Sequence, residues 1–409
     1  MGGNSYITRI NMDADAAHKV TLLATKDASG NAIKTIDGST WEPFAERLLF
    51  TTESASNPTY AATPGYPSIV TDVSGALGRG GYEGIQDDRD GNIWIVEDIG
   101  GPFKTDSAGA STTAKRPNSF LYRYVPASPG DLAHGKLQAL QVLNSNGQPI
   151  TFDSQAALNN PDQVALHSYG QTFQTQWVTI HDTATQGNAP FNANTAAKAA
   201  RATPFKRPEN GVFQPSDGFR DFYFTETGDT DATSVENNTA GGWGSLFHLT
   251  QSSPSANTGQ IRVFYKSDRA HSGLDNINFI SATQLGVVED AGDLLHSQRD
   301  ALDSGYALDI TKDYASGALP TRWLAEGRDA SATIDSSFNG FGKNDSDNEI
   351  TGLLISNGDP SVRGILGTAK PNFGNGATDS DNNGKATWRW FYTQQHGDNV
   401  TYEVLPSGR

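Results

Sequence analysis

The chain has 409 residues, no cysteine, and 46 acidic against 30 basic side chains, a formal net charge of −16. So acidic a chain repels phosphate backbones, which sets nucleic acid aside as a partner. The absence of cysteine removes disulfides, thiolate metal sites and Cys nucleophiles together. No run of about 18 apolar residues occurs, so no membrane-spanning helix is expected. With 43 Gly, 19 Pro and 10% aromatic residues the composition is that of a folded domain, not a low-complexity chain. The start, Met1-Gly2-Gly3-Asn4, carries neither the basic nor the apolar stretch of a signal peptide. It fits either a cytosolic protein or an exported one whose signal has been removed.

In chain order, residues 6–11 read as a strand that closes the fold against another near 400–405. After it a unit recurs: a short apolar strand that ends in an acid. Its copies are Leu48-Leu49-Phe50-Thr51-Thr52-Glu53, Ile93-Trp94-Ile95-Val96-Glu97-Asp98, Phe222-Tyr223-Phe224-Thr225-Glu226 and Leu285-Gly286-Val287-Val288-Glu289-Asp290. A degraded copy is Trp390-Phe391-Tyr392-Thr393-Gln394-Gln395-His396. A second acid heads the strand before each: Glu42, Glu83, Glu209, Asp275 and Glu349. Asx-Gly turns such as Asp90-Gly91, Asp217-Gly218 and Asn357-Gly358 lie between the two.

Repeated hairpins of β-branched and aromatic strands, with no 3.6-residue period, predict an all-β fold, a β-propeller. Glu53 to Glu97 spans 44 residues, one blade, whereas Glu97 to Glu226 spans 129, which reads as two blades with insertions. The spacing predicts six blades, with five or seven left open. No linker divides the chain, so residues 1–409 are taken as one domain, with loop insertions near 188–203 and 371–385. Single helical turns are expected at 131–137 and 156–160.

Innermost strands of a propeller run along its channel, so acids at equivalent strand ends meet at one mouth. Calcium takes six to eight oxygen ligands and suits donors drawn from several blades. Glu53, Glu83, Glu97, Glu209, Glu226, Asp275, Glu289 and Glu349 are therefore the candidate metal ligands, with Glu42 in the same set. The competing reading is that they cap strand ends in solvent. His396 is either a ligand or proton donor, or a structural histidine. Arg79 and Arg207, beside channel motifs, either bind a substrate anion or pair with neighbouring acids. Asp379-Ser380-Asp381-Asn382-Asn383-Gly384 begins like a calcium loop, but Trp390 stands where its glutamate belongs.

Taken in order, several motifs resemble the PhoX-type alkaline phosphatases. They are Arg79-Gly80-Gly81-Tyr82-Glu83, the run from Ile93 to Asp98, and Phe120-Leu121-Tyr122-Arg123-Tyr124-Val125-Pro126. Arg207-Pro208-Glu209, Asp275-Asn276, Glu349-Ile350-Thr351-Gly352 and Gln395-His396-Gly397-Asp398 follow. The resemblance implies a six-bladed bacterial propeller with calcium and iron in its channel, secreted or periplasmic. It implies a calcium-centred phosphomonoesterase acting on a small phosphorylated substrate or other small anion as a monomer. Glu209, Glu349 and His396 would be catalytic, and Arg79 and Arg207 would bind substrate. Thr52 stands where the family has an iron-ligating cysteine, which leaves iron without its thiolate. Asn210 replaces an aromatic residue, and acid-rich residues 344–348 replace a phosphate-clamping arginine. Two other readings stay open: a non-catalytic calcium-binding propeller, and a calcium-dependent lactonase-like hydrolase.

Overall fold

The computed structural model describes residues 5–152, 160–214, 218–299, 301–326, 349–366, 371, 373, 388–395 and 400–405. Strands dominate. The apolar runs picked out above each form the second strand of a blade, and in the second blade the turn before it follows from Asx and Gly chemistry. Between Tyr82–Asp87 and Ile93–Glu97, the Asp88 carboxylate accepts the Asp90 and Asn92 N–H groups at 2.9 and 3.0 Å. Gly91 adopts a φ of 85°, which a side chain would oppose.

Five antiparallel blades are found among the described residues, each opening on an inner strand: Ile36–Glu42, Tyr82–Asp87, Pro208–Phe213, Leu274–Phe279 and Ile350–Ser356. Four blades have four strands and the last has three. Expectation put six first. The 129 residues from Glu97 to Glu226 do not hold an extra blade. They hold an additional outer strand, Phe173–Asp182, which pairs with both Gly135–Leu143 and Thr258–Lys266 and fuses the second and third blades into one nine-stranded sheet. Its helices are Pro161–Leu166, Thr183–Gln186 and Ala193–Ala199, the first burying Leu166 in the core and the last burying Ala193 and Ala197 beside Tyr82 and Tyr122. The insertion expected at 188–203 contains the last of these; the one at 371–385 lies almost wholly outside the described residues.

Ring closure also departs from expectation. Strand Ile7–Ile10 pairs with Val20–Ala24, and Val400–Val404 pairs with Arg389–Gln394. The terminal hairpin buries Ile7 and Leu23 against Phe50, Tyr60 and Val70 of the first blade, so its apolar face is spent there and not beside the last blade. First and last blades meet instead where Trp41 Nε1 donates to the Pro360 carbonyl at 2.7 Å. Of the single helical turns, the one expected at 131–137 does not form: residues 132–134 only bend, and the strand Gly135–Leu143 has already begun. Residues 156–159 lie outside the described residues, and the helix begins at Pro161 with Asn160 as its cap.

The core lies between blades. Trp94 stands 4.9 Å from Trp177, 5.0 Å from Phe213 and 4.9 Å from Phe222, so one indole ties the second blade to the third. Polar clips space the inner strands. Thr51 Oγ1 donates to the Glu83 carbonyl at 2.6 Å, Thr225 Oγ1 to the Asp275 carbonyl at 2.5 Å, and Asn276 Nδ2 to Thr351 Oγ1 at 3.0 Å. At Gly38 a side chain would collide with the Glu83 carbonyl, so the first two inner strands approach that closely only with glycine there.

Candidate functional site

Strand register defines the site. Ile36 lies opposite Thr52, Tyr82 opposite Glu97, Pro208 opposite Glu226, Leu274 opposite Glu289, and Ile350 opposite Gln394. In every blade the ladder then slips. Such irregularities re-aim side chains at sheet rims. The residue after each inner-strand start is Asp37, Glu83, Glu209, Asp275 and Thr351. The residue after each second-strand end is Glu53, Asp98, Thr227, Asp290 and Gln395. These two sets form the channel mouth.

Its centre is Glu83, Asp98 and Glu209, which each offer a carboxylate oxygen within 4.8 Å of the others. Asp37 lies within hydrogen-bonding reach of Glu83 and Glu53. Asp275 adjoins through the charges of Glu349, Asp290 and Asp37. Burial first, then mutual repulsion, pushes Glu83, Glu209 and Asp275 well above the usual carboxylate range. Burial also raises Asp37. Partial desolvation at the mouth, followed by the Asp37 charge, pushes Glu53 up to about 7.

Hydrogen bonds fix the acids in place. Arg207 Nε lies 3.0 and 2.9 Å from the two Asp98 oxygens, Nη2 2.7 Å from Oδ2, and Nη2 3.5 Å from Glu209 Oε1. Burial opposes the guanidinium charge, but Asp98 and Glu209 outweigh it and hold Arg207 more firmly protonated than usual. Its φ of 58° is the strained backbone that turns it inward. Thr227 Oγ1 donates to Glu209 Oε1 at 2.6 Å.

Of the expected site residues, Glu83, Glu209 and Asp275 sit at the mouth, and Glu349 adjoins Asp275. Glu53 is on the rim. Glu97, Glu226 and Glu289 are elsewhere: fully buried and spent on internal partners. Glu97 Oε2 accepts from the Tyr122 hydroxyl and Asn194 amide, both at 2.9 Å, and from Phe120 N–H at 3.2 Å. Burial pushes this carboxyl up to about 8 against those bonds. Glu226 accepts the Lys206 N–H at 2.7 Å and lies 3.0 Å from His167 Nε2. Glu289 is gripped by Arg299 at 2.9 and 3.0 Å and by the Ser272 and Ser304 N–H groups. A strand alternates faces, so the acid ending each strand points into the blade and its successor points to the channel. Glu42, also buried, caps the turn at Phe44 and Ala45. Arg79 pairs with Asp72 at 2.9 Å, which accounts for its charge away from the centre. The Thr52 hydroxyl contacts the Asn57 carbonyl at 3.4 Å. His396 and residues 379–384 lie outside the described residues.

Asp37, Asp98 and Asp290 were not anticipated. The signal for Asp37 is present as Ile36-Asp37-Gly38, which matches Tyr82-Glu83-Gly84; the doublets Glu97-Asp98 and Glu289-Asp290 mark the others. Behind the acids, a cavity of about 520 Å³ runs along the channel, lined from all five inner strands by residues that include Asp37, Ile85, Val212, Ile277 and Leu353. Of the acidic ring only Asp37 reaches it.

A family model described as alkaline phosphatase PhoX matches residues 110–360, more than half of the chain. It takes in Glu209, Asp275 and Glu349 and stops short of Asp37, Glu83 and Asp98. Among solved structures, Pseudomonas fluorescens PhoX in complex with vanadate, a transition-state analogue, matches at 14% identity and a TM-score of 0.49. That match covers 79% of this chain and 66% of that one, so this chain spans just under two thirds of its length. No curated protein matches.

Proposed function

Because the chain belongs to the alkaline phosphatase PhoX family, we propose that it hydrolyses phosphate monoesters at the acidic channel mouth, with calcium as the bound cation. The observation that carries this is the convergence of Glu83, Asp98 and Glu209, from separate strands, within 4.8 Å. Buried carboxylates this close repel one another unless a cation or protons stand between them. The donor set is all oxygen and holds no thiolate, which fits a hard cation and not a soft one. Iron is left out of the proposal, since Thr52 offers a poor ligand in place of cysteine. Bound in that set, a divalent cation would polarise a phosphoryl oxygen and lower the pKa of water. The chain's own residues orient the donors: Arg207 holds Asp98, Thr227 holds Glu209, and Asn276 donates to Asp275 Oδ1 at 2.7 Å. The roles of Glu209, Asp275 and Glu349 as ligands, and of Glu53 at the rim, belong to this proposal. No helix among the described residues is long and apolar enough to cross a membrane. A calcium-centred site of this kind suits the calcium-rich space outside the cytosol.

One observation favours a second reading, a non-catalytic calcium-binding propeller. Both arginines proposed for substrate are paired with acids, Arg79 to Asp72 and Arg207 to Asp98. Hydrolysis of p-nitrophenyl phosphate by the purified protein, in chelator and after calcium is returned, separates the two. Activity lost and restored supports the phosphatase. No activity in either condition supports the binding module, and turnover of a lactone instead would point to the lactonase-like hydrolase.

The raised acids predict a pH signature. A carboxyl whose folded pKa exceeds its unfolded value stabilises the fold below the unfolded value, and that stability is lost as pH rises through the folded one. Glu83, Glu209 and Asp275 shift in this direction; the Glu53 contribution is lost by about pH 7, and the three more strongly raised acids carry the loss to higher pH. Calcium-free protein is therefore expected to melt roughly 5 °C lower at about pH 8 than at about pH 6. Calcium closes the gap by binding only the folded state. Scanning calorimetry with and without chelator measures it; a calcium-free melting point that does not change with pH contradicts the repulsion argument.

A further inference from the structure

Nearly every cation around the acidic centre is committed to carboxylates. Arg207 holds Asp98, and Lys206 lies 3.0 Å from Asp229 and 2.6 Å from Glu236. Lys104 lies 2.6 Å from Glu236, and Arg299 2.9 Å from Glu289. Lys115 is different. It ends the strand Ser111–Lys115, which pairs with Phe103–Thr105 in a hairpin inserted directly after Asp98. Its backbone N–H is anchored on Asp229 Oδ1 at 2.9 Å. Its ammonium has one neutral partner, the Thr230 hydroxyl at 3.3 Å, and makes no ion pair among the described residues. It is half-buried and lies within the fields of Asp98 and Arg207. Burial, the largest influence, holds its pKa below the ordinary lysine value. A partly desolvated ammonium without a counter-ion is costly to keep.

We propose that Lys115 binds the phosphoryl group of the substrate, supplying at the rim of the acidic centre the anion contact that Arg79 and Arg207 are not placed to give. Two ammonium protons remain after the Thr230 bond, and the four-carbon stem lets the head swing from that weak contact toward an incoming anion. The lysine recognises phosphate as a point charge, while the hairpin fixes its base through the Lys104–Glu236 pair. This inference rests on the phosphatase reading for its substrate class, but it concerns an anion site that can be measured without turnover.

The test compares wild type with Lys115→Gln and Lys115→Arg in calcium. Binding of inorganic phosphate is measured by calorimetry, and kcat and KM are measured on p-nitrophenyl phosphate. Losing a charge-assisted contact is expected to weaken phosphate binding in Lys115→Gln by roughly ten- to a hundredfold and raise KM similarly. The expected split leaves kcat less affected, calcium content and melting temperature unchanged, and much of the phosphate affinity restored in Lys115→Arg. Phosphate affinity and KM within about twofold of wild type in Lys115→Gln would overturn the proposal while leaving an active wild type as a phosphatase. Lys115-dependent phosphate binding without hydrolysis by wild type would keep the anion site and overturn the phosphatase reading. Neither binding nor hydrolysis by wild type would overturn both.

Discussion

Glu209→Gln is expected to lose calcium binding and at least about a hundredfold of phosphomonoesterase activity in the same step. The substitution is close to isosteric, and the amide oxygen still accepts the 2.6 Å bond from Thr227, so the strand Pro208–Phe213 has no reason to move. What disappears is one of the three charges gathered within 4.8 Å, together with the charge that Arg207 Nη2 faces at 3.5 Å. Two carboxylates then remain at the centre, one of them already neutralised by a guanidinium. Calcium affinity by calorimetry and hydrolysis of p-nitrophenyl phosphate should fall together. A variant that stays fully metallated and active removes Glu209 from the ligand set. Glu226→Gln is the informative contrast. It lies on the next strand but faces inward to His167 and the Lys206 N–H. It should cost stability and leave calcium affinity near wild type.

That contrast explains what could be read from residue order alone. The repeat was visible because apolar second strands and Asx-Gly turns carry strong local chemistry, and Glu83, Glu209 and Asp275 stood out beside them. Whether an acid faces the channel is a question of parity, and one residue reverses the answer. Glu97 and Asp98 are adjacent in sequence, yet one is buried against Tyr122 and Asn194 while the other meets Arg207 at the mouth. The ladder slip after each inner-strand start is set by cross-strand pairing, which no single strand reveals. Asp37 was displaced by Glu42 for that reason: both follow an apolar residue, but only Asp37 sits at the slip. Blade number was obscured in a similar way. Strand Phe173–Asp182 has the composition of a blade strand but pairs between two outer edges.

The largest stability effect is expected away from the acidic centre, in the buried charge network beneath it. Lys206→Met should destabilise the protein by roughly 3–5 kcal/mol, because it strips a cation from acids that have no access to water. Lys206 Nζ lies 3.0 and 3.1 Å from the Asp229 oxygens and 2.6 Å from Glu236 Oε2, and all three residues are buried. Burial works against the ammonium, yet two carboxylates outweigh it and raise the Lys206 pKa. Lys104 shares only Glu236, and there burial wins and lowers the pKa. Lys104 is therefore a poor substitute, and the variant leaves two acids facing one weakened cation. The defect reaches the site as well. Asp229 anchors the Lys115 backbone, and Lys206 directly precedes Arg207. Urea unfolding should show a lower midpoint at unchanged slope. Adding Asp229→Asn should recover part of the loss, since the double variant removes one uncompensated charge, and the cycle measures the coupling directly. If Lys206→Met unfolds within about 1 kcal/mol of wild type, the network is exchangeable packing. In that case the hairpin that carries Lys115 must be held by other contacts.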